Sequence, residues 1–115
     1  MSKRILITGG AGFIGSHLAR YFGEQTEVTV LDDLRSGYAR NLEGTRCRFV
    51  QGSILDAAAL NQAVAGAEEV YHLAAMISVP ESVAKPAECA QLNTEGTRRV
   101  LDAALAAGAR KVVLA

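Results

Sequence analysis

Short apolar runs alternate along this chain with longer stretches in which apolar side chains return every three or four positions. Ile5-Leu-Ile7, inside Arg4 to Thr8, opens the series and stops at Gly9 and Gly10. Glu27 to Leu31, Cys47 to Gln51, Glu69 to Leu73 and Arg110 to Leu114 repeat the theme. Runs of this length, rich in Ile and Val, predict strands buried on both faces of a parallel sheet. Between them, Ile14, Leu18 and Tyr21 or Phe22 recur at helical spacing from about Gly12 to Phe22. A second helix is predicted from an Asp56 N-cap through Ala57 to Ala65, with Gly66 as its stop. After Pro86 the spacing of Leu92, Val100, Leu101 and Leu105 predicts one long helix from Ala87 to Ala107, ended by Gly108. Leu34 to Asn41 reads as loop or short helix. With right-handed crossovers, this alternation predicts a three-layer α/β fold. Its centre is a doubly wound parallel sheet of five strands in the order 3-2-1-4-5.

Composition narrows the picture. The 115 residues make one domain, spanning 1–115, and a hydrophobic fraction of 50% is enough for a core that needs no staples. Twelve basic and twelve acidic side chains leave no net charge. No global field then favours nucleic acid or an anionic membrane, and any bound anion must be held locally. Cys47 and Cys89 have no metal-ligand or redox spacing and are expected to be buried and reduced. Ser2-Lys3-Arg4 before an apolar run is not read as a signal segment, because Gly9 and Gly10 break the run early. With no window of membrane-spanning length, the expected location is cytoplasmic.

The candidate chemistry lies where the first run breaks. Gly9, Gly12 and Gly15 separate the first strand from the first helix, the context in which a glycine pattern gains meaning. The first glycine allows a sharp turn, the second lets backbone approach a pyrophosphate, and the third lets helix and strand pack closely. Backbone N–H groups and the positive end of the helix dipole would face the phosphates. Tight packing alone is the competing explanation. An acidic residue is wanted about 20 positions on, where it accepts from the adenosine ribose hydroxyls. Asp32 stands there, closing the second strand, and Asp33 follows. Carboxylates at this place repel a 2′-phosphate, so NAD is expected in preference to NADP; Arg35 weakens that preference without reversing it. The set describes a Rossmann-type dinucleotide site. His17, alone in the first helix, is read as a packed or capping side chain.

Thr8-Gly-Gly-Ala-Gly-Phe-Ile-Gly-Ser-His17, Leu31-Asp-Asp-Leu-Arg-Ser-Gly37, His72-Leu-Ala-Ala75 and Asn93-Thr-Glu-Gly-Thr97 together resemble the N-terminal part of the extended short-chain dehydrogenases/reductases. Within them the chain is most similar to the NAD-dependent nucleotide-sugar epimerases and dehydratases of UDP-glucose 4-epimerase type. The resemblance covers essentially the whole chain. It implies that Phe13 and Ile14 of the glycine loop, Ser36 and Gly37 beside the adenosine pocket, and Leu73, Ala74 and Ala75 at the turn after the fourth strand border the cofactor. Asn93 would help to fix that turn. Family members carry an Asp that accepts from the adenine amino group, followed by an apolar residue against the ring; Ser53 and Ile54 stand at those positions here. Ser78 and Ser82 border the implied sugar-nucleotide pocket and read equally well as turn residues. Ile77 stands where some members have Lys.

Family catalysis rests on a Ser or Thr just beyond the fifth strand and a Tyr-x-x-x-Lys on the next helix. Tyr21, Tyr38 and Tyr71 are not followed four positions on by Lys. The expectation is a chain truncated after the fifth strand, lacking the C-terminal substrate domain. It would bind dinucleotide as part of a UDP-sugar 4-epimerase without itself catalysing, with UDP-sugar engaged only by a full-length parent. A free-standing or engineered minimal binding module and a non-catalytic NAD sensor are the alternatives. Surface that later elements would cover is expected to favour self-association.

Overall fold

The computed structural model describes residues 3–34, 39–73 and 86–114, and of residues 88, 89, 91 and 92 the backbone only. Five parallel strands, β1 (Arg4–Thr8), β2 (Glu27–Asp32), β3 (Arg48–Gln51), β4 (Glu69–His72) and β5 (Lys111–Leu114), form one sheet in the order β3-β2-β1-β4-β5. This is the predicted topology. The central strands have no polar face: Ile5, Leu6, Ile7, Val30, Leu31 and Val70 are all buried. Fully burying an aliphatic side chain of this size contributes about 1.5–3 kcal/mol.

Helices cover both faces. Helix α1 (Phe13–Gly23) lies over Ile5, Ile7, Val28 and Val30, with Ala19 buried against them and Leu18 and Phe22 packed alongside. On the other face α2 (Ala57–Val64) supplies Leu60, Ala63 and Val64 against Leu6, Leu31, Val50 and Val70. Asp56 caps α2 as predicted, its Oδ1 accepting from the N–H groups of Ala58 at 3.0 Å and Ala59 at 3.3 Å. Gly66 then turns the chain with a φ of +76°.

The predicted long helix is one helical path with a fault in it. It comprises α3 (Pro86–Ala90), a π-helical turn (Gln91–Glu95) and α4 (Gly96–Ala106). Apolar periodicity does not register the fault, because a single wide turn changes hydrogen-bond partners within the helix without removing its apolar stripe. Val100 and Ala104 still face the core. Past the fault, α4 is pressed against the segment that follows β3. A Cβ on Gly96 would lie 2.4 Å from Ile54 Cδ1, and the Arg99 guanidinium donates to the Leu55 carbonyl at 2.7 Å. Gly96 is thus required by a neighbouring side chain.

Smaller differences lie at strand ends. Cys47 precedes β3 and is half-buried instead of buried within a strand; burial still pushes its thiol pKa up. Cys89 is in α3, as expected, with its side chain outside the described residues. Among the described residues, no helix is long and apolar enough to cross a membrane.

Candidate functional site at the carboxyl edge

Strands β1 and β4 are neighbours although the chain visits β2 and β3 between them, so the order reverses beside β1. Loops that leave in opposite directions from adjacent strands open a crevice at their carboxyl ends, where open α/β sheets take ligands. The glycine loop sits at this point. Gly9 has a φ of +73°, and its N–H bonds the Leu31 carbonyl of β2 at 2.8 Å. A Cβ on Gly15 would lie 2.3 Å from the Gly9 carbonyl oxygen and 2.7 Å from Gly10 Cα, so α1 reaches the loop only because that position is glycine. Gly10 has a like role, absent from the sequence argument: its Cβ would lie 2.6 Å from Val30 Cγ1.

Gly12 is different. Its φ of −79° suits any residue, and a Cβ there would meet nothing closer than the Gly9 oxygen at 3.4 Å, an ordinary contact. Among the described residues, nothing demands glycine at this position. Gly12 is also the N-cap of α1, where it offers no side-chain acceptor, and the first turn carries no acidic side chain. The helix itself thus supplies no acceptor or negative charge at the positive end of its dipole. Phe13 and Ile14 follow with their side chains turned outward, 79% and 64% exposed.

Asp32 closes β2 and is only 8% exposed, which rules out a freely solvated turn residue. Its Oδ2 accepts from the Ala11 N–H at 2.9 Å, 21 positions back in the glycine loop, and its Oδ1 accepts from the Leu34 N–H at 2.7 Å. The carboxylate therefore holds the loop as well as standing at its side. From the opposite direction, Asn41 Nδ2 donates to the Ala11 carbonyl at 2.8 Å, while the Asn41 carbonyl accepts from Arg20 at 3.1 Å. Asn41 lies in a single 3-10 turn (Ala39–Leu42), and no periodicity or motif marks it in the sequence. Asp33 is exposed beside Asp32.

Beyond β3, on the same side of β1 as Asp32, Ser53 Oγ accepts from the Leu55 N–H at 3.0 Å, and the Ser53 carbonyl accepts from the Asp56 N–H. Ile54 is 2% exposed, its side chain lodged against Gly96. Leu73 follows β4, its N–H bonded to the Thr8 carbonyl at 3.0 Å. Asn93 sits in the π-helical turn, and its carbonyl accepts from the Thr97 hydroxyl at 2.8 Å. The structure thus brings Gly9, Gly12, Gly15, Asp32, Leu73 and Asn93 to one edge of the sheet. Ser36, Gly37, Ala74, Ala75, Ser78 and Ser82, with Arg35, Tyr38 and Ile77, lie outside the described residues. His17 is exposed and stacks edge-on with Phe13 at 4.7 Å. Tyr71 donates to Glu69 at 3.1 Å near the far end of β4. Burial foremost, then that carboxylate, pushes its phenol pKa up.

A groove of about 610 Å³ opens at the opposite, amino edge, lined by Arg4, Glu27, Arg46, Cys47 and the ends of α1 and α2. Arg4 there is paired with Glu27, and Arg46 and Arg48 also line the groove. The helix ends that border it are carbonyl ends, so it has neither the glycine loop nor the helix N-terminus that a pyrophosphate site uses. Among the described residues, no group of three or more His, Cys, Asp or Glu could hold a metal ion. The carboxyl edge is therefore the site whose geometry suits a dinucleotide.

Comparison with known proteins gives the same direction. Residues 5–115 match the family model described as the NAD dependent epimerase/dehydratase family. A UDP-N-acetyl-alpha-D-glucosaminuronate decarboxylase of Bacillus cytotoxicus is 41% identical over 100% of this chain and 36% of its own length. A UDP-glucose 4-epimerase of Mycolicibacterium smegmatis is 45% identical over 96% of this chain and 37% of its own. Among solved structures, UDP-glucose 4-epimerase from Brucella ovis in complex with NAD superimposes with a TM-score of 0.87 at 35% identity, over 98% of this chain and 35% of that one. The chain thus spans little more than a third of the length of the relatives it matches. It belongs to the NAD-dependent epimerase/dehydratase family.

Proposed function

We propose that this chain is the dinucleotide-binding portion of a nucleotide-sugar 4-epimerase acting on UDP-glucose or UDP-N-acetylglucosamine, and that alone it binds NAD without turning over a sugar. The observation that carries the reading is Gly12. It is a glycine that packing among the described residues does not require, placed at a helix start without a side-chain cap and beside a buried acidic residue. A dinucleotide accounts for all three features, its pyrophosphate for the glycine and the helix start and its adenosine ribose hydroxyls for the carboxylate.

In this reading the N–H groups at the start of α1 hold the pyrophosphate. Asp32, fixed by Ala11 and Leu34, keeps further lone pairs for the ribose hydroxyls and disfavours a 2′-phosphate. Phe13, Ile14, Asp33, Ser36, Gly37, Leu73, Ala74, Ala75 and Asn93 complete the cofactor contacts, with Ser53 and Ile54 toward the adenine and Ser78 toward the sugar nucleotide. A nicotinamide bound there would supply the hydride acceptor for oxidation of the sugar carbon and the hydride for reduction of the resulting keto sugar on its opposite face. No Tyr in the 115 residues has Lys four positions on, so this chain offers no Tyr–Lys pair for the accompanying proton. Exposed Tyr21, Leu105 and Leu114 are the surface through which self-association is proposed.

Calorimetric titration with NAD and with NADP tests the reading. Binding of NAD that exceeds binding of NADP is expected, together with no conversion of UDP-glucose in the presence of NAD. Equal or stronger binding of NADP would contradict the cofactor preference, and sugar turnover would contradict the non-catalytic reading.

A further inference from the structure

A directional hydrogen-bond relay crosses the carboxyl edge from the π-helical turn to β1. The Thr97 hydroxyl donates its one proton to the Asn93 carbonyl at 2.8 Å. At its 3.0 Å contact with His72 Nε2 it must therefore accept, which places the ring proton on Nε2. In the neutral ring Nδ1 is then an acceptor, and it takes the Thr8 hydroxyl proton at 2.7 Å. Thr8 Oγ1 in turn accepts from the Leu73 N–H at 3.1 Å. Every link has one donor and one acceptor. The relay joins the ends of β1 and β4 to Asn93, across sequence separations of 64 and 25 residues.

We propose that His72 and Thr97 are positioning residues for the dinucleotide, locking Leu73 and Asn93 together as one wall of the cofactor crevice. This rests on the reading under Proposed function that both border the cofactor. It goes beyond that reading by assigning work to two side chains that meet no ligand, and by making the wall sensitive to pH. A second proton on the ring would sit on Nδ1, and Thr8 could then no longer donate there.

Burial alone holds the His72 pKa below the ordinary imidazole value, and no charged neighbour contributes to the shift. Among the described residues, the groups that face the ring from packed elements are uncharged. They are Thr8 of β1, Thr97 of α4 and, by strand register, Leu114 of β5. Glu95 at the end of the π-helical turn pairs with Arg98 and Arg99 of α4, and Asp102 pairs with Arg98. Glu69 of the same strand is held by Lys3 and Tyr71 at its other end.

The test compares the wild-type chain with Thr97→Val, which keeps the shape and loses the hydroxyl, and Thr97→Ser, which restores it. NAD affinity is expected to fall roughly tenfold in Thr97→Val, the effect of a buried donor left without a partner, and to return in Thr97→Ser. Wild-type affinity should decline as His72 protonates below pH 6.5, and that decline should be altered in Thr97→Val. Ring ¹⁵N shifts should report the Nε2–H tautomer in the wild type and a shift toward Nδ1–H in Thr97→Val. Unchanged affinity and pH profile in a folded Thr97→Val, or an Nδ1–H tautomer in the wild type, would overturn the relay while leaving dinucleotide binding intact. A folded wild-type chain that binds no NAD would instead overturn the function, and with it any positioning role.

Discussion

Gly12 and Gly15 stand three positions apart and do different work, and a methyl group distinguishes them. In Gly15→Ala the new Cβ meets backbone, the Gly9 oxygen at 2.3 Å and Gly10 Cα at 2.7 Å, so α1 and the loop must separate. The expected result is a loss of about 1–3 kcal/mol in unfolding free energy, read by urea denaturation. In Gly12→Ala, at an ordinary backbone angle, the Cβ meets among the described residues only the Gly9 oxygen at 3.4 Å. The stiffer unfolded chain offsets the poorer N-cap, and unfolding free energy should change by less than about 1 kcal/mol. NAD binding should nevertheless be lost, and retained affinity would remove the argument from Gly12. The spacing of these glycines and Asp32 was legible in the sequence because each answers a local demand of turn, approach or charge. Asn41 was not legible, since one amide reaching Ala11 leaves no pattern in the chain. The relay was hidden for a related reason: Thr8, His72 and Thr97 are ordinary residues of a strand end and a helix until the fold brings them together.

At the scale of elements, strands and helices were readable because the β strands are buried on both faces and α1 and α2 keep one apolar stripe each. The π-helical turn was invisible to that reading. Its setting can be tested by the contact just beyond it. Gly96→Ala drives a Cβ into Ile54 Cδ1 at 2.4 Å, and Ile54 is too buried to swing aside, so a loss of about 1–3 kcal/mol is expected. Ile54→Val removes the clashing atom and should recover part of that loss in the double variant. A strictly additive double variant would mean that Gly96 and Ile54 do not press on one another. At the start of α2, Asp56→Ala should cost about 1 kcal/mol by the same measurement, because two first-turn N–H groups lose their acceptor.

For the whole molecule, the pH dependence of stability follows from two buried groups at opposite edges of the sheet. Burial lowers the His72 pKa in the folded chain, so its contribution is complete above 6.5, the unfolded value, and is lost as pH falls through the folded value. For Glu69, burial works to raise the pKa, but hydrogen bonds from Lys3 and Tyr71 and nearby positive charge outweigh it, and the net shift is downward. Its contribution is present above 4.5 and is lost as pH falls through the folded value. Urea midpoints measured from pH 7.5 downward should therefore decline in two stages, and His72→Gln should abolish the upper one. An upper stage that persists in that variant would assign it to another group. The proposed dinucleotide site lies where the chain order reverses beside β1. An amide NMR titration with NAD tests it most directly. The account predicts shifts concentrated at Gly9 to Gly15, Asp32, Leu73 and Asn93, and little change around Arg4, Arg46 and Ala67 at the amino edge. Shifts confined to the amino edge, or none at all in a folded chain, would contradict it.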